Sequence, residues 1–284
     1  MDLTQKAIII TGASSGIGLA AASALAARGA RVIGVGRSPA RCEEARQKIL
    51  AGAPGARIEF ALADLSSQQE VRRLAAELLQ RLDGGPLDVL VNNAGAVAGW
   101  YTPTADGYEL QFAVNHLAPF LLTHALLPAL QKADGARVIT TSSRSHRGAR
   151  IRWDDVMLRR SYFPLTAYRQ SKTANVLFTA EFNRRFAGDG LRAYAADPGL
   201  VKTDIGLKGT GGLVSLVWGL RARGGRPPEY GAATIVHLAA DPLEDETAVY
   251  WKDSRPLAPD PYTLREDEAR RLWELSERLC GLAS

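Results

Sequence analysis

The chain has 284 residues, 46% of them hydrophobic and 23% charged, and a formal net charge of +5. These values fit a single globular domain with room for a large buried sheet and exclude disordered and fibrous classes. The basic excess is arginine dispersed among acids, and Cys42 and Cys280 lie far apart, so no nucleic-acid face, disulfide framework or metal site is expected.

The N-terminus runs within a few residues into "KAIII" (6–10), the first predicted strand, which leaves no room for a leader segment. No uninterrupted apolar stretch of about 18 residues occurs, so no spanning helix is expected and a reducing cytoplasm fits. The strand leads into "TGASSGIG" (11–18) and then the small-residue helix "LAAASALAARG", with Gly29 where a left-handed C-terminal cap belongs. Gly12, Gly16 and Gly18 would let the backbone turn sharply and present the amides of Ser14, Ser15 and Ile17 at the positive helix end to a diphosphate. Strand, glycine turn and helix in succession point to a dinucleotide; the missing Gly-Lys-Ser/Thr ending excludes a Walker-type loop.

The second strand, "RVIGV" (31–35), ends in "GVGRS". An acid there would accept hydrogen bonds from a free ribose 2′-OH. Gly36 supplies none, and Arg37 offers a planar cation to a 2′-phosphate, so NADP is the expected cofactor, with a solvated surface arginine as the plain alternative. Further strands are expected at "RIEFAL" (57–62), "LDVLV" (87–91), "RVITT" (137–141) and "LRAYAA" (191–196). Their alternation with helical patterns predicts an α/β fold, a doubly wound parallel sheet covered on both faces. Between the third and fourth strands, Ser67 and Glu70 have capping-box spacing, and Val71, Leu74, Leu78 and Leu82 form one helical stripe. The Gly- and Pro-rich stretch over 206–231 reads as a mobile substrate lobe, bounded at 204–230. A last helix is expected to open on a capping box of Thr263 and Glu266 and to pack through Leu264, Leu272, Leu275 and Leu279. The whole is one domain, 1–284.

The glycine spacing, Asp64 with Leu65, "NNAG" (92–95), Asn115, "TSS" (141–143), "YRQSK" (168–172) and "DPGLVKT" (197–203) follow in order along almost the whole chain. Together they resemble the short-chain dehydrogenase/reductase family in its single-domain oxidoreductase form. That resemblance implies a Rossmann fold, hydride exchange between NADP and a CH–OH or C=O group, and assembly as a homodimer or homotetramer. It implies that Asp64, with Leu65, meets the adenine, and that Asn92, Ala94 and Gly95 lie beside the cofactor, with Asn92 steadying the central strand. It makes Lys172 a ligand of the nicotinamide ribose and the run Pro198, Gly199, Val201 and Thr203 a clamp on the carboxamide. Asp197 departs from the family, which often has His or Ser before Pro-Gly.

Reducing a carbonyl leaves an alkoxide, so the site needs a proton donor and an oxyanion-stabilising donor. A tyrosine, with an ordinary pKa of about 10, serves if a cation favours its phenolate; positions 168 and 172 share a helix face, so the Lys172 ammonium can lie below the Tyr168 phenol. From the resemblance, Ser143, rather than Ser142, is the second donor, and Asn115 holds a water that links the lysine to solvent. His116 and His146 are expected to be structural or cavity-lining rather than catalytic. The 25 positions between Ser143 and Tyr168 exceed the family's usual spacing. This insert, with "KTANVLFTAEFNRRF" and "RLWELSERLCGL", resembles the retinol dehydrogenase-like branch, whose members act on bulky apolar aldehydes and alcohols. Arg144 and Arg147 either admit a polar or anionic substrate or pair with Asp154 and Asp155. Trp100, Trp153 and Trp218 either line an apolar cavity or belong to the core. The expected function is an NADP-dependent oxidoreductase that interconverts an aldehyde or ketone with its alcohol, working as a reductase. A non-catalytic NADP-binding sensor and a membrane-surface protein anchored by "LVSLVWGLRARGGR" are the alternatives.

Overall fold

Strand β1 (Ala7–Thr11) alternates its isoleucines, so that Ile8 and Ile10 join the core on one face of the sheet and Ile9 the core on the other. The same two-sided burial recurs in β2 (Arg31–Gly36), whereas β3 (Arg57–Leu62), at the sheet edge, is mostly half-buried; it returns in β4 (Val89–Asn92), β5 (Arg137–Thr141) and β6 (Arg192–Asp197), and these are the six strands expected from the sequence, with ends within two residues of those expected. Two more, β7 (Tyr250–Lys252) and β8 (Arg255–Pro256), were not expected; they are too short for periodicity to show. The computed structural model, which describes residues 3–201 and 225–282, joins all eight in the order β3-β2-β1-β4-β5-β6-β7-β8. Every pairing is parallel except β7 with β8. The order reverses between β1 and β4, which opens a crevice beyond the carboxyl ends of the strands, where ligands of such sheets bind.

The helices are α1 (Gly16–Ala27), α2 (Pro39–Gly52), α3 (Gln68–Leu82), α4 (Leu110–Leu130), α5 (Pro164–Phe186), α6 (Pro228–Ala240) and α7 (Glu266–Leu279). Leu74 and Leu78 of α3, Phe120 and Leu126 of α4, Phe178 of α5 and Trp273 of α7 share one core; Leu25 of α1 and Ile235 and Leu238 of α6 share the other. By length and composition α4 could cross a membrane, but 78% of its most apolar stretch is buried inside the fold. It is apolar all round because it is walled in by protein. A π-helical turn, Ala113–Leu117, interrupts it.

Local signals hold at α3, where the Ser67 hydroxyl accepts from the Glu70 N–H at 3.4 Å, and at Gly29, whose φ of 91° closes α1. The expected capping box at the last helix does not form. Thr263 lies in a 3-10 turn (Pro261–Leu264) and donates its hydroxyl to the Asp260 carbonyl at 2.7 Å. The Asp260 carboxylate serves that turn instead, accepting from Tyr262 N–H at 3.0 Å and, across the structure, from Gly148 N–H at 2.7 Å. Helix α7 therefore starts at Glu266, with Glu266, Asp267 and Glu268 against its positive end. Leu264 is exposed, but Leu272 and the half-buried Leu279 pack as expected, joined by Ala269 and Trp273. The expected lobe at 204–230 falls largely outside the described residues, and Trp218 wholly so; α6 begins within its last residues, at Pro228.

The insert between Ser143 and Tyr168 is a packed segment. Ile151, Met157 and Leu158 are buried, and Gln170 of α5 holds the run by accepting from Arg152 N–H at 2.9 Å and donating to the Val156 carbonyl at 2.8 Å. Trp153 donates its indole N–H to Glu268 at 2.7 Å, so it ties the insert to α7.

Gly18 sets how closely the first helix approaches β1 and β4. A Cβ there would lie 2.3 Å from the Gly12 carbonyl oxygen and 2.5 Å from Asn93 Nδ2, far inside contact distance. Gly18→Ala is expected to cost about 1–3 kcal/mol, read as a lower urea midpoint at unchanged slope.

Candidate active site

The glycine loop is built from the end of β1 outward. Gly12 sits at φ 70°, a left-handed conformation that disfavours a side chain. Helix α1 starts with no side-chain bond from Ser15 and no acid in its first turn, so its amides stay available to an anion. The Thr11 hydroxyl accepts from both Asn93 N–H and Ala94 N–H at 3.0 Å, and Asn93 Nδ2 donates back to the Thr11 carbonyl at 2.9 Å. Asn93 thus locks the turn after β4 to the glycine loop, a role the sequence reading left unassigned although the doubled Asn of "NNAG" marks it. Asn92 points the other way and donates to Thr123 Oγ1 at 3.1 Å, tying β4 to α4. Gly95 continues the turn that begins with Asn93 and Ala94.

The opposite wall follows β6. Gly231 of α6 brings three predicted contacts together: a Cβ there would lie 2.7 Å from Val201 Cγ2, 3.1 Å from Pro198 Cβ and 3.2 Å from Ile17 Cγ1. Pro198 and Val201 are thereby brought beside Ile17 at the start of α1, Gly199 faces Tyr230, and Thr203 lies outside the described residues. At the far end, Arg37 Nη1 lies 3.8 Å from Asp64 Oδ2 with its side chain 74% exposed. Asp64 Oδ1 accepts from the Ser66 N–H at 3.0 Å and hydroxyl at 2.8 Å, and Leu65 packs on the core. A Cβ on Gly36 would sit 3.2 Å from Ser14 Oγ, so Ser14 stands beside the same corner.

Tyr168 and Lys172 lie one turn apart on α5, with the Lys172 ammonium 5.7 Å from the Tyr168 ring centroid. Among the described residues, Lys172 is the only lysine or arginine that is buried. Its Nζ donates to the Thr141 carbonyl at 2.9 Å, and Asn175 Nδ2 donates to the same oxygen at 3.1 Å. Asn175 was missed by the sequence reading; its place three residues after Lys172, on the same helix face, is the signal. Burial pushes the lysine pKa down to about 8, against the pull of the Asp197 carboxylate, which raises it.

The two serines separate clearly. The Ser142 hydroxyl is buried and donates to the Lys172 carbonyl at 3.0 Å, so it is occupied. Ser143 is half-buried, accepts from Ser145 N–H at 3.2 Å and donates to none of the described residues. His146 holds this turn in place: its Nδ1–H donates to the Ser143 carbonyl at 2.7 Å, and its Nε2 accepts from Asp260 N–H at 3.1 Å. Both ring nitrogens are thereby used, and burial pushes the imidazole pKa down, which fits a neutral ring. Arg169, next to Tyr168, donates to the Ser145 carbonyl at 3.2 Å and the Arg147 carbonyl at 2.8 Å, so α5 grips the serine turn directly. His116 is fully buried, 2.8 Å from Ser276 Oγ, with its pKa pushed down to about 3 by burial.

Asn115 lies in the π-helical turn of α4. Its Oδ1 accepts from Ala96 N–H at 2.7 Å, and its Nδ2 donates to the Ala96 carbonyl and to Ser171 Oγ, each at 3.0 Å. It therefore fastens the loop after "NNAG" to α5 at the residue before Lys172. The pairing of Arg144 and Arg147 with the insert's acids does not form. Asp154 lies 3.6 Å from Arg160, Asp155 accepts from the Arg159 and Arg160 amides at 2.9 Å, and Arg147 donates to the Ala258 carbonyl. The expected puzzle residue, Asp197, is buried and accepts from Gly199 N–H and the Tyr250 hydroxyl. No three His, Cys, Asp or Glu side chains gather as a metal site among the described residues.

Residues 6–209 match the family model described as short chain dehydrogenase. The chain is 36% identical over 283 residues to retinol dehydrogenase 12 of Mus musculus, covering 99% of this chain and 88% of that protein. It is 37% identical over 288 residues to retinol dehydrogenase 13 of Homo sapiens, covering 98% and 85%. Among solved structures it resembles an uncharacterized protein from Mycobacterium paratuberculosis, with TM-score 0.78 and 35% identity over 98% of this chain and 94% of that one. It also resembles an NADPH-bound carbonyl reductase from chicken fatty liver, with TM-score 0.66 and 25% identity over 91% and 100%.

The burial of Lys172 has a measurable sign. Its amine loses its proton near pH 8 in the folded protein and near its ordinary 10.5 when unfolded. Between those values the unfolded chain binds more protons, so this group adds stability as pH rises from about 8 to about 10.5 and adds none below. In ¹⁵N-lysine spectra of the cofactor-free protein, the Lys172 Nζ resonance, identified by its absence in Lys172→Arg, is expected to titrate well below the other lysines.

Proposed function

Because this chain belongs to the short-chain dehydrogenase family, an oxidoreductase family, we propose that it is an NADP-dependent enzyme interconverting an aldehyde or ketone with its alcohol, and that it works as a reductase on bulky apolar carbonyl compounds. The observation that carries this reading is the buried Lys172 ammonium under the Tyr168 ring, with Ser143, whose hydroxyl accepts from Ser145 N–H, following Ser142, which is bonded to the Lys172 carbonyl. When bound, the nicotinamide would supply the hydride.

The residues present suit such a cofactor. The uncapped start of α1 and the glycine turn suit its diphosphate, the corner of Ser14, Arg37 and Asp64 its adenosine end, and the wall of Pro198, Gly199 and Val201 its nicotinamide end. Gly36 brings no carboxylate to compete with a 2′-phosphate, and Arg37 is exposed enough to meet one. This supports NADP over NAD. Tyr168 is the proton donor to the carbonyl oxygen, Ser143 donates a second hydrogen bond to that oxygen, and Lys172 lowers the cost of negative charge on the phenol. Asn115 holds the loop and helix around them.

Apolar side chains support the substrate class. Trp100 follows the turn after β4, Phe163 and Leu165 open α5 ahead of Tyr168, and Leu200 follows Gly199; all four are exposed. Large hydrophobic groups left in water on segments that flank the candidate site support an apolar substrate.

Loss of NADPH absorbance across a panel of aliphatic, aromatic, terpenoid and steroidal carbonyls tests the reading, and silence over the whole panel would overturn it. Tyr168→Phe is expected to lower turnover by a factor on the order of 10²–10⁴ while leaving NADPH binding nearly intact. Arg37→Ala is expected to weaken NADPH by about 10- to 100-fold with little effect on NADH, as the loss of one charge-assisted contact predicts. Equal losses for the two nucleotides would remove the NADP assignment.

A further inference from the structure

Asp197 ends β6 where the strand hands over to the Pro198–Gly199 turn, and it is 2% exposed. A carboxylate kept from water is costly unless its surroundings answer it. Gly199 N–H donates to Oδ1 at 2.9 Å, and the Tyr250 hydroxyl donates to Oδ2 at 2.6 Å. Both oxygens act as acceptors, which is the pattern of the ionised form. A serine or asparagine would also cap the Gly199 amide; what aspartate adds is charge.

The sheet shows where that charge acts. β5 and β6 run parallel with Thr141 opposite Ala196, which sets Asp197 beside the strand end at Ser142. The Lys172 ammonium is bonded to the Thr141 carbonyl, and the Ser142 hydroxyl to the Lys172 carbonyl. Buried cation and buried carboxylate thus hang from neighbouring strand ends.

We propose that Asp197 is a positioning residue of this reaction: through Gly199 and Tyr250 it fixes the turn that carries the cofactor clamp, and as the buried counter-charge of Lys172 it keeps the ammonium under Tyr168 charged. This rests on the NADPH-dependent reading of the site. The other titratable and charged groups facing the pair are few. From α5 there is Tyr168. From β7 come Tyr250 and Lys252, the latter 3.9 Å from Asp253. From the serine turn come His146, its ring 4.7 Å from that of Tyr250, and Arg144 and Arg147, which act on the Tyr250 hydroxyl. From α6 comes Tyr230, whose hydroxyl donates to Asp253 at 2.6 Å. The Asp197 charge also reaches Tyr250, His146 and Tyr230, but Lys172 is the one buried cation among the groups it acts on.

The test is Asp197→Asn, which removes the charge and keeps an acceptor, with two readouts. One is the Lys172 Nζ titration by ¹⁵N NMR in the cofactor-free protein; the other is the alkaline limb of kcat/KM for carbonyl reduction with NADPH. Both midpoints are expected to move at least about one pH unit to lower pH, whereas Tyr250→Phe, which keeps the charge, does not lower them. A folded Asp197→Asn protein whose Lys172 titrates as in the parent would overturn the proposal. Should that variant not fold, Asp197→Ser takes its place with the same outcomes. A shifted titration with no turnover by any form would sink the functional reading and leave the electrostatic link standing; turnover with unshifted midpoints would sink the link alone.

Discussion

A single ammonium held out of water organises this molecule. Lys172 cannot keep its proton in an apolar interior unless oxygen atoms and a negative charge are brought to it, and each must come from a different element. The end of β5 offers the Thr141 carbonyl, the end of β6 the Asp197 carboxylate, and α5 carries the lysine on the same face as Tyr168 and Asn175. The positions of β5, β6 and α5 are therefore tied to one charge.

The cofactor cradle follows from a second constraint, close approach. The glycine turn, the "NNAG" turn and the Pro198–Gly199 turn all leave carboxyl ends of parallel strands on the two sides of the point where strand order reverses. They can come together only where side chains are missing. Gly18 lets α1 meet the turn after β4, and Gly231 lets α6 meet the clamp and Ile17 together. Polar cross-links then hold what the glycines allow, chiefly between Thr11 and Asn93 and between Asn115 and Ala96.

Much of this was legible in the sequence, for physical reasons that differ by element. Five of the six expected strands announced themselves because burial on both faces demands continuous apolar runs, the edge strand β3 by a shorter run broken by Glu59, and α3 because one buried face demands a stripe at three and four residues. Tyr168 and Lys172 were legible as a pair because helical spacing fixes their shared face. What was not legible depends on contacts between residues distant in sequence. The turn before α7 is capped by Asp260, whose carboxylate serves Gly148 as well as Tyr262. Trp153 could equally line a cavity or belong to the core until its indole met Glu268. Asp197 could not be interpreted without β7, a strand of three residues that brings Tyr250.

The bond from Asp260 N–H to His146 joins residues 114 positions apart and completes the support of the turn that carries Ser143. Such a contact is a late event, since loop closure over that length has to be offset by structure already in place. During synthesis the nucleotide-binding half, with its local strand-helix units, can organise while the rest is still being made. The serine turn gains its last anchor only after the segment leading into α7 has left the ribosome. A chain cut short before Asp260 would lack that anchor together with Tyr262, Leu272 and Trp273 of the shared core, so the support of the serine turn and the packing of α3, α4 and α5 are completed by the same last-made segment.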